Sequence, residues 1–196
     1  MIFSFFDAIN YTPSTISKTA TVTSMTDIFR NYKGYFDAVI PSFTLRSYYI
    51  QGAPRPEYLA YQLYGNSQFY WVLLFCNGIY DPFHGWIKTQ QATFESADQA
   101  YANIGGNQVL YHIDADGTKY YNLVEYPTGS EVWYDKGDTN YYYPQYSGAL
   151  AAVDIYGDFS AQNEEKRQIK IISPDDIESF ISAMIREMEK APTTHS

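Results

Sequence analysis

Three stretches of this sequence predict an α+β fold. Residues 44–50, TLRSYYI, read as a strand that leads into two short capped helices within residues 54–86. Residues 109–124 hold two β-rich runs joined by a Gly-ended turn. Residues 168–188 couple a β-branched strand, QIKII, to an amphipathic helix. The expectation is a βααβ core carrying an inserted β-hairpin region, an extended N-terminal arm and a C-terminal amphipathic helix.

Residues 1–40 read as the arm and its lead-in. Ile2, Phe3, Phe5 and Phe6 need burial, so residues 2–6 are a short strand or an aromatic anchor. Residues 12–24 are rich in Ser and Thr, with Ile16 and Val22 the main exceptions, and are expected to be extended. An apolar pattern resumes at Met25 and includes Phe29 and Tyr32, but its period does not decide between helix and strand.

Residues 41–92 are expected to form the core. Its first helix opens at Arg55-Pro56-Glu57, with proline at the first helical position and an acid in the first turn, and stops at Gly65. Leu59 and Leu63 lie one turn apart on an apolar face. Asn66 or Ser67 then caps a second helix that ends at Asn77-Gly78. That helix contains the longest apolar run of the chain, residues 69–76, and is expected to be packed on every side.

Residues 93–147 are the expected insertion. A helix spans about residues 90–102 and stops at Gly105-Gly106. Strands at 109–113 and 118–124 flank Asp114-Ala115-Asp116-Gly117 as a hairpin, and residues 131–134 supply a third strand. Residues 136–147 read as a loop bearing Tyr141, Tyr142, Tyr143 and Tyr146 around Pro144.

Residues 148–196 begin with a helix from Gly148 that Gly157 bends or interrupts. The strand at 168–172 follows, and then a helix with Ser173 as N-cap, Pro174 at its first position and Asp175 and Asp176 at its positive end. Residues 191–196 should fray. A strand at 44–50 needs a partner. Residues 87–91 are adjacent but poor in β-branched side chains, so residues 168–172 are the expected closing strand.

Composition narrows the function. The net charge of −9, from 22 acids and 13 bases, argues against nucleic acid and anionic membrane as partners, because both need a basic field. The single cysteine, Cys76, lies in the apolar run and forms no intramolecular disulfide. The N-terminal MIFSFFDAIN has no basic n-region and a short apolar run, so neither a signal sequence nor a membrane span is expected and synthesis is expected in the cytoplasm. Tyrosine is abundant, at 21 residues, and its apolar face with a polar tip suits surfaces half buried against partners. The interface candidates are Phe3, Phe5, Phe6, Phe29, Tyr32, Tyr141, Tyr142, Tyr143 and Tyr146.

Catalytic chemistry lacks its parts. Of the 3 histidines, His195 is in the tail, His84 in a turn and His112 in a strand, and no pair has metal-ligand spacing. Asp114-x-Asp116-Gly117 is part of a calcium loop at most and is explained by a hairpin turn. Glu164-Glu165 and Asp175-Asp176 are neighbours on helices and diverge. No phosphate loop or nucleophile elbow occurs, so no cofactor, metal or catalytic residue is expected.

Strand, helix, Tyr-Gly-Asn corner, apolar helix and Asn-x-x-x-Asp-Pro exit together resemble a LysM module. Leu59, Ala60, Tyr64, Gly65, Asn66, Tyr70, Trp71, Leu74, Asn77, Asp81 and Pro82 carry the likeness. Such modules serve either as glycan clamps or, in contractile phage tails, as structural plugs.

The further motifs MTDIFRNYK, LRSYYI, YWVLL, VWYDKGD, YPQY, GALAAVD and RQIKII make the chain similar, nearly end to end, to the baseplate wedge protein fifty-three family of T4-type contractile-tailed bacteriophages. The resemblance leaves residues 12–24 and 191–196 outside its patterns. It implies a virion component of the tail baseplate, present in multiple copies and without enzymatic activity. Its implied partners are other baseplate wedge proteins, including the wedge scaffold and the sheath-initiating wedge protein, with adjacent wedges joined around the hub. The alternative is a LysM-type module that binds peptidoglycan or N-acetylglucosamine polymers, though glycan-binding units usually come as repeats or attached to an enzyme.

Overall fold

The computed structural model describes residues 6, 8–11, 22–25, 27 and 30–190. The expectations for Ile2, Phe3, Phe5, Ile16, Phe29, His195 and the tail lie outside these residues. The chain is mixed α+β and divides into two compact units, one drawn from Met1–Trp86 with Gln168–Ser196 and the other from Ile87–Arg167. In chain order the elements are β1 (Ile9–Tyr11), β2 (Thr23–Met25), α1 (Tyr32–Val39), β3 (Leu45–Tyr49), α2 (Pro56–Tyr64), α3 (Tyr70–Cys76) and α4 (Pro82–Gly85). There follow α5 (Gln90–Tyr101), β4 (Val109–Ile113), β5 (Lys119–Tyr120), β6 (Leu123–Glu125), β7 (Val132–Asp135), β8 (Pro144–Ser147), β9 (Ala151–Asp154), α6 (Ile155–Glu165), β10 (Gln168–Ile172) and α7 (Ile177–Glu189).

In the first unit, α2 and α3 follow their local signals. Pro56 opens α2, and Gly65 closes it in the left-handed region at φ 71, its N–H donating to Tyr61 O. The Asn66 side chain accepts from Gln68 N and sets a single 3-10 turn, Ser67–Phe69, ahead of α3. Trp71, Val72, Leu73 and Leu74 are buried, whereas Tyr70, Phe75 and Cys76 are half-buried, so α3 is closed in along its first turns but not on every side.

Helix α1 had no clear sequence signal. The Asn31 side chain caps it by accepting from Gly34 N at 2.9 Å. A Cβ at Gly34 would stand 2.6 Å from Asn31 Nδ2, so this glycine makes room for the cap. Of residues 12–24 the structure describes only 22–24, where Thr23–Met25 is extended and pairs antiparallel with Ile9–Tyr11.

β10 pairs antiparallel with β3, Gln168 opposite Tyr49 through Ile172 opposite Leu45. The closing strand is the distant one expected, and residues 87–91 instead lead into α5. Asn77 fastens the outer side of β10. Its side-chain amide donates to Leu73 O at 2.7 Å and Lys170 O at 2.8 Å and accepts from Lys170 N at 2.7 Å. Asn77→Ala should therefore lower the unfolding free energy by about 1–2 kcal/mol, since water replaces part of what is lost. Asn77→Asp should lower it further, because a carboxylate cannot donate to those two carbonyls. Urea denaturation of both variants measures this.

The core of this unit joins α1, α3, β10 and α7 around Phe180, which is 0% exposed. Its ring meets Phe36 and Phe43 edge-on at 5.6 and 5.4 Å and Trp71 at 6.2 Å. The start of α7 differs from expectation. A 3-10 turn, Pro174–Asp176, precedes it, and the buried Ser173 hydroxyl makes no hydrogen bond instead of capping. Asp175 and Asp176 still lie at the positive end of the dipole.

The second unit holds two three-stranded sheets, ordered β5-β4-β9 and β6-β7-β8. Four expectations are corrected here. The run 118–124 is not one strand. It breaks at Tyr121-Asn122, with Asn122 at φ 58, so that β5 pairs with β4 while β6 pairs with β7. The loop at 136–147 ends in strand β8, which pairs with β7. The helix expected from Gly148 begins only at Ile155, because residues 151–154 pair with β4. Gly157 does not interrupt that helix. Its N–H donates to the capping Asp154 carboxylate at 2.6 Å, and a Cβ there would stand 2.9 Å from the same oxygen. A second asparagine clamp closes this unit, with Asn163 donating to Lys88 O and accepting from Lys88 N.

Candidate interaction surface

No helix among the described residues is long and apolar enough to cross a membrane, and no group of three His, Cys, Asp or Glu side chains there could hold a metal. Asp114 is committed to its turn. Its carboxylate accepts from Asp116 N at 3.0 Å, Thr118 N at 2.8 Å and the Tyr120 hydroxyl at 3.0 Å. The backbone N–H of Thr118, first among these, holds the Asp114 carboxyl below the usual range. Asp158, buried in the second unit, accepts from Tyr111 and Gln162, each at 2.7 Å, with Lys119 at 3.5 Å, so its charge is matched internally.

Burial pushes the Cys76 thiol up to about 12. Its reaction with a disulfide reagent at pH 8 should run about a thousandfold slower than that of a free thiol, because the thiolate is the nucleophile. The rate should keep rising with pH beyond about 10, where a free thiol has levelled off. Stopped-flow labelling with and without denaturant checks both statements.

The sequence-nominated LysM-like positions serve the framework of the first unit. Leu59, Trp71 and Leu74 are buried. The Tyr64 hydroxyl donates to Ile172 O at 3.1 Å and is itself raised in pKa by burial. Asp81 caps Pro82 and the short helix α4 by accepting from Phe83 N at 2.9 Å, and lies 2.6 Å from His84 Nδ1.

Among the nominated interface residues, Tyr32 is corrected. It is 4% exposed, with its hydroxyl donating to Asp27 O at 2.9 Å, because α1 turns this ring into the core. Phe6 is half-buried, 6.2 Å from the rings of Tyr32 and Tyr35 and 4.3 Å beneath the Arg30 guanidinium. Phe3, Phe5 and Phe29 lie outside the described residues.

The tyrosine loop separates into anchors and a presented pair. Asp138 organises it, accepting from Asn140 N and Tyr143 N through its carboxylate and from Tyr141 N through its carbonyl. Tyr141, held at φ 54, stacks on Tyr126 at 3.9 Å and 7° and meets Tyr134 edge-on at 5.5 Å. Tyr146 packs against Tyr120 at 4.7 Å. Tyr142 and Tyr143 are each 74% exposed, and their rings lie 6.4 Å apart. A loop fixed by two anchors thus presents two aromatic rings to solvent with little ordering left to do on contact.

Further exposed aromatics escaped the sequence reading. Tyr58 and Tyr61 lie three residues apart on α2, away from the buried Leu59 and Ala60, a spacing that helical periodicity could have exposed. Tyr80 and Phe83 flank Asp81-Pro82 and are exposed because the tight α4 turn points them outward. Only the folded turn reveals that.

Comparison with known proteins gives two full-length matches. The family model described as base plate wedge protein 53 matches residues 1–187, and so runs through the 12–24 stretch left out above. Baseplate wedge protein gp53 of Enterobacteria phage T4 is 53% identical over 191 residues, which is 97% of each chain.

Proposed function

Because the chain belongs to the base plate wedge protein 53 family and is a structural component of a phage virion's tail baseplate, we propose that it binds other wedge proteins and helps join adjacent wedges around the hub. The identity of 53% across nearly the whole chain carries this reading. The proposed partners are the wedge scaffold and, after this protein has been added, the sheath-initiating wedge protein, with several copies in each virion. The βααβ unit of β3, α2, α3 and β10 is read as LysM-like and used as a structural plug. Its support is the strand closure and the framework roles of Tyr64, Gly65 and Asn77. The presented pair Tyr142 and Tyr143 is the proposed contact on the second unit, consistent with the chemistry of interface anchors.

Mixing the purified protein with the remaining wedge proteins of its phage and following the products by sedimentation tests the proposal. Wedges should associate into rings only when the protein is present. Rings formed equally well without it would refute wedge joining. Retention on purified peptidoglycan, competed by chitin oligomers, would support the glycan-binding alternative instead.

A further inference from the structure

In the β10-β3 sheet of the first unit, no described strand pairs with one edge, while side chains close the opposite edge. The sheet has two strands, β10 and β3. On β10, Lys170 N and O both bond to the Asn77 side chain, and Ile172 O accepts from Tyr64. Those groups therefore point away from β3, which makes Lys170–Ser47 a non-hydrogen-bonded pair of the antiparallel ladder. Alternation then places the N–H and C=O of Leu45, Ser47 and Tyr49 on the outer side of β3. Arg46 and Tyr48 spend theirs on Ile171 and Ile169. No strand among the described residues pairs with that outer side.

Among the described residues the edge lacks the usual protection. It runs five residues in unbroken register, with no proline and no bulge, and its only charge is Arg46. Arg46, Ser47 and Tyr49 are exposed, Tyr49 at 57%. A two-stranded sheet gains from a third strand. We propose that the outer edge of β3 is a docking site for an extended segment of another protein, which adds to the sheet as a third strand. Main-chain hydrogen bonds to Leu45, Ser47 and Tyr49 recognise that segment. Its alternate side chains on the Tyr48 side continue the apolar layer of the buried Ile169 and Ile171. A second copy of this chain is the poorer occupant, because the net charge of −9 opposes self-association.

The partner's assignment to the baseplate wedge rests on the function proposed above, and the test separates the two. Hydrogen exchange is measured on the protein alone and after it joins the other wedge proteins of its phage. The amides of Ser47 and Tyr49 should exchange fast in the free protein and slow by about a hundredfold or more in the wedge. Those of Arg46 and Tyr48 should be protected in both states. Ser47→Pro removes an outward donor without removing a bond to β10, so it should fold and bind the wedge about tenfold or more weakly. Ser47→Ala should bind normally.

Normal joining with Ser47 and Tyr49 still fast would overturn the docking edge and leave wedge joining intact. Normal joining by folded Ser47→Pro would overturn it as well. If that variant does not fold, exchange in the unaltered protein decides. Protection that grows with concentration in the protein alone would put a second copy on the edge and overturn the commitment to a different protein. Failure of the unaltered protein to join wedges would overturn both readings.

Discussion

Trp71→Ala and Phe180→Ala should each destabilise the protein by about 3–5 kcal/mol, the range for large aromatic truncations in a core. Trp71 is 6% exposed and Phe180 fully buried, and neither ring can be replaced by a neighbour's movement without opening a cavity among other aromatics. Phe36 and Phe43 would each lose an edge-on contact with Phe180, and Phe75 would lose its 5.8 Å contact with Trp71. Because the Trp71 and Phe180 rings also face each other at 6.2 Å, the double substitution should cost less than the sum of the two. Each kcal/mol should lower the melting temperature by about 2–4 °C for a chain of this size. Thermal and urea unfolding of the three variants measure the cycle. A Trp71→Ala protein with an unchanged melting temperature would mean that this ring does not support the core.

Tyr142→Asp combined with Tyr143→Asp should leave the isolated fold intact and weaken wedge binding by about a hundredfold or more, if each ring is an anchor worth about 2 kcal/mol. The fold is expected to survive because the two rings touch each other and little else, while Tyr141 on Tyr126 and the bonds to Asp138 hold the loop. Binding is expected to fail because two carboxylates would be buried at the contact without partners. Tyr141→Asp is the contrasting variant, since it removes the stacked anchor and should loosen the loop itself. Circular dichroism reads the fold, and sedimentation of wedge mixtures reads assembly. Normal wedge joining by the double variant would exclude this loop as a contact. Loss of its fold would mean that the two rings pack locally after all.

What the sequence determined by itself was written in short-range chemistry. Pro56, Gly65 and Asn66 act within a turn of their own position, so the start and end of α2 and the turn into α3 follow from those residues alone. The β-branched run 168–172 likewise identifies itself as a strand, and the shortage of such residues at 87–91 was enough to choose its partner across the chain. The idiosyncratic motifs carried the family in the same way, because residue identity and order are enough for recognition.

Tertiary structure decided what no local signal contains. Residues 151–154 carry alanines that suit a helix, but pairing with β4 draws them into a strand, where ladder hydrogen bonds outweigh a weak propensity. The tyrosines differ least in sequence and most in place. Tyr32 is core, Tyr141 and Tyr146 are anchors, and Tyr142 and Tyr143 face solvent. Every tyrosine has the same apolar ring and polar tip, so its role depends on which ring or carbonyl the rest of the chain brings beside it, and that contact exists only once distant segments have packed.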